Sequence, residues 1–274
     1  MIVLGLDTST TATAAGLRLA DGTVLERRDD PPRDAHPGHA TRLLTMVAGL
    51  LEETGGSWTD IGRIAVGVGP GTFTGLRVGV ATARGLAHSR GIGLVGVSSL
   101  QALAYAVLED PGADSEAGGA RGPAGTADGR EARDPAAAEH GREARGLALA
   151  VIDARRGEVF PALYERRAGG VPRRLLDTSA LAPELVAELA ASTHGPGGGR
   201  PLAVGDGAVR YAQLLRDAGV EVAEEGSRLH LVTAAAICAL GERAAVPSGE
   251  GGILPDYVRR PDAELALEGV EAPS

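Results

Sequence analysis

The sequence predicts an α/β protein of two lobes, each a mixed sheet flanked by helices. Three observations predict it. Short apolar strands alternate with longer stretches of helical periodicity. An apolar strand closed by an acid, then a turn and return strands, opens the chain at residues 2–28 and recurs at 147–166. Between them, from Leu108 to Leu147, lies a stretch without Leu, Ile, Val, Phe, Tyr, Trp or Met.

The elements follow in order. Residues 2–6 are an apolar run of strand length, closed by Asp7-Thr8-Ser9-Thr10-Thr11. Residues 12–19 read as a second strand. Asp21-Gly22 signals a turn, and 23–28 return as a third strand. The Pro-rich stretch 29–38 reads as a loop. A helix is expected from His39, because Leu43, Leu44, Val47, Leu50 and Leu51 share one stripe, and Gly55-Gly56 stops it. Residues 61–68 form a short buried strand, followed by the tight loop Gly69-Pro70-Gly71-Thr72-Phe73-Thr74-Gly75. A second helix spans 76–89, with Leu76, Val80, Ala83 and Ala87 on one face. A strand follows at 92–97, and Ser98 or Ser99 caps a helix running to Leu108.

Gly, Ala, Asp, Glu and Arg dominate 109–146. Such a stretch buries too little apolar surface to offset its chain entropy, so a disordered loop is expected there. The second half then offers a strand at 147–153, a turn at Arg155-Arg156-Gly157, a return strand at 158–166 and a third strand within 171–176. Helices fit 183–191, 208–218 and 231–245, with a short strand and turn at 203–207. Residues 1–108 are thus assigned to the first lobe, joined by the tail 253–274, and 147–252 to the second. A lobe repeated in this way is what actin-like folds show.

Composition excludes several functions. The 3% aromatic content leaves no wide stacking platform for single-stranded nucleic acid, and a net charge of −9 disfavours phosphate backbones. All 27 basic residues are arginine, which rules out a P-loop or Schiff-base lysine. The lone Cys238 sits in an apolar run and reads as a buried small residue. No apolar stretch reaches membrane-spanning length, and the N-terminus lacks the basic flank and cleavage site of a leader. A soluble cytoplasmic protein, with no membrane partner, is expected.

Two segments could carry chemistry. Asp7, Thr8 and Ser9 end a strand, where an acid and small hydroxyls can hold a hydrated cation or cradle a phosphate; the same residues also serve as ordinary turn formers. Gly69, Gly71 and Thr72 belong to a strand-to-helix turn whose following amides could face an anion. It matches neither the P-loop nor the dinucleotide pattern.

The run from Gly69 to Gly79, with Ala83-Arg84-Gly85-Leu86-Ala87, resembles the signature of the TsaB/TsaD group, the glycoprotease-like proteins. Leu4-Gly5-Leu6-Asp7-Thr8-Ser9, the run from Ile152 to Phe160, and Pro255-Asp256-Tyr257-Val258-Arg259 are similar to TsaB proteins. The resemblance implies an actin-like, ribonuclease H-like fold. It also implies a role as a non-catalytic partner in tRNA N6-threonylcarbamoyladenosine modification. The catalytic branch, TsaD, carries a metal-holding histidine pair at i and i+4 on a helix. Ser99 and Leu103 stand there in this chain, so neither a metal site nor catalytic residues are expected. His36 and His39 are separated by Pro37 and Gly38 and do not share a helix; His88, His140, His194 and His230 are scattered singles, expected at surfaces or helix ends.

The resemblance further implies that the helices at 39–53 and 76–89 pack against those of TsaD, or of a second copy, as a four-helix bundle. Leu43, Val47, Leu50, Val78, Val80, Thr82 and Arg84 are the expected contacts. Asp7, Thr8, Ser9, Gly69, Gly71 and Thr72 would form a vestigial nucleotide loop. The implied partners are TsaD in a heterodimer and the ATPase TsaE, with tRNA met only through the complex and a homodimer as the self-paired form. No cofactor is expected to be held tightly by this chain alone, while ATP or ADP has room at the interface of the complex. The alternative is a self-sufficient actin-like enzyme, an ATP-dependent kinase or a metallopeptidase-like protein. It would require a metal pair or a second phosphate loop, and Gly205-Asp206-Gly207 is the nearest stretch to one.

Overall fold

The computed structural model describes residues 1–32, 37–109, 145–176, 179–195, 198–247 and 253–258. The loop expected at 109–146 lies outside the described residues except at its ends. The first half runs β1 (Ile2–Asp7), β2 (Thr13–Arg18), β3 (Val24–Asp29), α1 (His39–Thr54), β4 (Ile61–Gly69), α2 (Phe73–Arg90), β5 (Gly93–Ser98) and α3 (Ser99–Leu108). The second half runs β6 (Leu147–Arg155), β7 (Glu158–Glu165), β8 (Arg173–Arg174), α4 (Pro183–Ala191), β9 (Leu202–Val204), α5 (Asp206–Arg210), α6 (Ala212–Asp217), β10 (Glu221–Val222) and α7 (Ala234–Arg243).

The two halves repeat one topology. The first sheet has the order β3-β2-β1-β4-β5 and the second β8-β7-β6-β9-β10. In each, the opening hairpins pair antiparallel and the last two strands join in parallel through helical crossovers. This is the two-lobed actin-like arrangement, built from a duplicated unit.

Side-chain alternation along the strands explains the layering. In β1, Leu4 and Leu6 point to α1 and α2, while Val3 points to the opposite face. In β6, Ala148, Ala150 and Ile152 point inward, and Leu149 and Val151 point toward α4 to α6. A central core between the sheets is filled by α3 and α7. These two helices exchange: α3 packs chiefly on β6 and β7, and α7 packs on β1, β2 and β4. Assigning 1–108 and 147–252 to separate lobes by chain order therefore does not describe where these helices lie.

The seat of α7 is tight. A Cβ on Gly5 would stand 2.6 Å from Cys238 Sγ and 2.8 Å from Ala234 O, so only glycine admits the helix there. The buried Cys238 thiol donates to Val3 O and Gly16 O, and burial pushes it up to about 12. Arg63 donates from Nη1 to the carbonyls of Gly241, Glu242 and Ala244, which places a cation at the negative end of α7.

Some boundaries differ from expectation. The segment 208–218 is two short helices broken at Tyr211 (φ −110, ψ 25). The last helix starts at Ala234, where Thr233 Oγ1 accepts from Ala236 N. A 3-10 turn at Arg228–His230 precedes it. The third strand within 171–176 shrinks to Arg173–Arg174, and β10 has no periodic signal to announce it. The described tail residues return to the first lobe: Ile253 packs in its outer core, and Asp256 N donates to Val68 O at 2.7 Å.

Candidate functional site

The structure brings Asp7, Thr8 and Ser9 together with Gly69, Gly71 and Thr72. They form a closed joint rather than an open cradle. Asp7, Thr8 and Ser9 are all buried. Asp7 Oδ1 accepts from Ser9 N (3.0 Å) and Ser9 Oγ (2.9 Å), and Oδ2 accepts from Ser99 Oγ (3.2 Å). Thr8 Oγ1 donates to Gly75 O at 2.7 Å, and Thr72 N donates to Ser9 O at 2.7 Å. Any Cβ on Gly67 would collide with Asp7 Oδ2, and one on Gly71 would collide with Ser9 O. The glycines serve close approach of the two loops, and the Gly69–Pro70 peptide is cis. Burial pushes the Asp7 carboxyl above the usual carboxylate range, against the Ser9 and Ser99 hydrogen bonds and the charge of Arg28. The side chains of Asp7, Thr8 and Ser9, read as half of a nucleotide loop, spend their hydrogen bonds inside this joint and are not presented to a phosphate, while Gly71 and Thr72 stay half-buried beside them.

Ser99 and Leu103 stand on the first turns of α3, both fully buried. Ser98 Oγ caps the helix by accepting from Gln101 N. Ser99 is committed to Asp7, and Leu103 to the central core. Among the described residues no group of three or more His, Cys, Asp or Glu could hold a metal ion.

The two outer helices divide the expected contact residues. Leu43, Val47, Leu50 and Val80 are 0–2% exposed and fill the core beneath α1 and α2. Their place on an intermolecular surface is therefore a correction: the apolar stripe covers the lobe's own sheet. Val78 and Thr82 are half-buried, and Arg84 is exposed. The outward faces carry Leu44 and Ala48 on α1, and Arg77, Ala81, Arg84 and Gly85 on α2. Nothing lies within 4 Å of a Cβ built on Gly85.

Two histidines have structural work that sequence reading missed. His39 is buried, with Nδ1 2.9 Å from Thr13 Oγ1, and burial holds it below its ordinary value despite Asp29. His230 is buried too, not at the surface. Gly205 N donates to its Nδ1 at 3.1 Å, and its Nε2 lies 3.1 Å from Glu224 O. His36 and His140 lie outside the described residues, while His88 and His194 are exposed.

A cleft of about 810 Å3 opens between the halves, lined by Thr11 and Pro31 on one side and by Asp153, Arg155, Arg210 and His230 on the other. Asp153 lies two residues before the end of β6, at its bulge, much as Asp7 ends β1. Its Oδ2 pairs with Arg210 (2.9 Å) and Arg155 (3.5 Å), and its amide donates to Asp206 Oδ1. The repeated strand–acid–turn pattern pointed to this equivalence, but the ion pairs have no sequence signal. The turn is strained, with Arg155 at φ 66 and Arg156 at φ 55.

No described helix is long and apolar enough to cross a membrane. A family model described as TsaD, tRNA N6-adenosine threonylcarbamoyltransferase, matches residues 31–116. The tRNA threonylcarbamoyladenosine biosynthesis protein TsaB of Escherichia coli is 32% identical over 99% of this chain and 100% of its own length. A tRNA N6-adenosine threonylcarbamoyltransferase of Erythrobacter litoralis is 32% identical over 42% of this chain, but only 36% of that protein is covered. The solved structure of YeaZ from Pseudomonas aeruginosa superimposes with a TM-score of 0.64 at 26% identity, covering 88% of this chain and 91% of that one.

Proposed function

The chain belongs to the TsaB family, and from that membership we propose that it serves tRNA N6-threonylcarbamoyladenosine biosynthesis as a docking subunit that performs no transfer itself. In this reading it binds and stabilises TsaD and offers a platform to TsaE. The setting is the cytoplasm, tRNA is met through the complex, and ATP or ADP belongs to the interface of the assembled subunits.

One observation carries the non-catalytic part. The helix positions that the resemblance gives to a metal-holding pair are occupied by a serine bonded to a buried carboxylate and by a core leucine. Neither is free to take a ligand without opening the centre of the molecule. The outward α1 and α2 faces support the docking part. Ala48, Ala81 and Gly85 leave those helices thin enough for another helix pair to approach, and Leu44 is 48% exposed.

The test is reconstitution of threonylcarbamoyl transfer to tRNA with the chain alone, with TsaD alone and with both. Transfer is expected only where TsaD is present, and is expected to rise several-fold when this chain joins it. Turnover by the isolated chain overturns the reading.

A further inference from the structure

In an aromatic-poor chain, two exposed rings meet at one point on the surface. Phe73, at the start of α2, is 37% exposed, and Tyr257, in the returning tail, is 42% exposed. Their ring centroids are 5.3 Å apart. Beside them stands Arg77, exposed on the outward face of α2. Its guanidinium lies 3.7 Å from the Phe73 ring centroid, and its Nε donates to Tyr257 Oη at 3.0 Å. A stacked guanidinium held through Nε keeps its planar fork in one orientation before any partner arrives. That is the pre-organisation that makes Arg and Tyr effective anchors.

Along α2 the charge is one-sided, with exposed Asp256 beside Tyr257 in the tail as the neighbouring carboxylate. From Phe73 to Arg90, α2 contains Arg77, Arg84 and Arg90 and no Asp or Glu, in a chain whose net charge is −9. Arg77, Ala81, Arg84 and Gly85 follow one another along the exposed face. A partner with carboxylates opposite that stripe is attracted. A second copy of this chain would meet it with the same guanidinium groups along α2 and with carboxylates only at the end of α1, Glu52 and Glu53, and at Asp256 of the tail. Nucleic acid is a weaker candidate, because the overall charge repels a phosphate backbone and two rings make no continuous stacking track.

We infer that Phe73, Arg77 and Tyr257 form the anchor of the docking face, and that Arg77 takes a carboxylate of the partner protein. This rests on the reading that α1 and α2 face TsaD, and it selects that heterologous partner over self-pairing. The returning tail is thereby part of the interface, since Tyr257 sets the orientation of Arg77.

Isothermal titration of full-length chain against TsaD tests it, with Arg77→Ala, Arg77→Lys, Tyr257→Phe and Ala81→Asp at several salt concentrations. Arg77→Ala is expected to weaken binding about 30-fold, at hot-spot level, without changing the melting temperature. Arg77→Lys is expected to recover part of that loss, and Tyr257→Phe to cost about 5-fold. Wild-type affinity should fall as salt rises. If Arg77→Ala binds like wild type while Ala81→Asp does not bind, the anchor is wrong and the docking face stands. If Ala81→Asp also binds like wild type, the docking face fails and takes the anchor with it. If Arg77→Ala leaves TsaD affinity unchanged but weakens tRNA binding by the isolated chain, the group reads phosphate and the proposal is overturned.

Discussion

Asp7 and His39 are both buried titratable groups of the first lobe, and they respond to pH in opposite senses. Burial raises the native value for Asp7, so the folded chain holds that proton more readily than the unfolded one. Asp7 therefore costs stability above its raised value, and the cost is relieved as pH falls toward the ordinary carboxylate range of about 4. Burial depresses His39, so the unfolded chain takes that proton first, and stability is lost as pH falls through about 6.5. Asp7→Asn keeps acceptors for Ser9 and is expected to raise the melting temperature by a few degrees at neutral pH. His39→Gln is expected to flatten the loss on mild acidification. Melting curves from circular dichroism across that range check both; a neutral-pH drop of several degrees in Asp7→Asn contradicts the first. The position of Asp7 at a strand end was legible in the sequence. Its burial was not, because that depends on Gly67 and Ser99, which are remote in the chain and meet it only through the sheet and α3.

The helices show what periodicity can and cannot say. The stripe Leu43, Val47, Leu50 located α1 correctly, and the same stripe proved to be the buried one. Hydrophobic spacing finds the face a helix turns to its own core. A docking face is found by its complement, here the small and cationic residues left outside. Val47→Asp or Val80→Asp would put an unpaired charge under the first sheet, at positions 0% and 2% exposed. A loss of more than about 4 kcal/mol is expected, with cooperative unfolding lost or strongly shifted in urea. Either variant melting like wild type would mean the helix is not packed as described. Short elements were harder to read: β10 is two residues, and the break at Tyr211 has no Gly or Pro at that position to announce it.

At the scale of the molecule, duplication was visible because both halves open with the same strand–acid–turn pattern. The exchange of α3 and α7 was not, since chain order carries no record of which sheet a crossover helix covers. That exchange has a functional consequence. It fills the centre between the sheets with side chains of α3 and α7, Leu103 among them, and leaves the cleft between the halves bounded by Thr11, Asp153, Arg210 and His230. The docking role proposed above belongs to the outside of the molecule, on the α1 and α2 face with the tail bound at its edge. His39, weighed with His36 as a ligand pair, and His230, expected at a surface or helix end, are both fastened within the fold.

Sedimentation velocity of an equimolar mixture with TsaD, using a chain that carries Leu44→Asp and Ala81→Asp together, addresses the docking claim directly. Both sites are exposed, so the fold should keep its stability to within about 1 kcal/mol. The wild-type mixture is expected to run as one complex and the variant mixture as two separate species, with threonylcarbamoyl transfer falling in step. A variant that still sediments as a full complex, or transfer that survives its loss, would contradict the account.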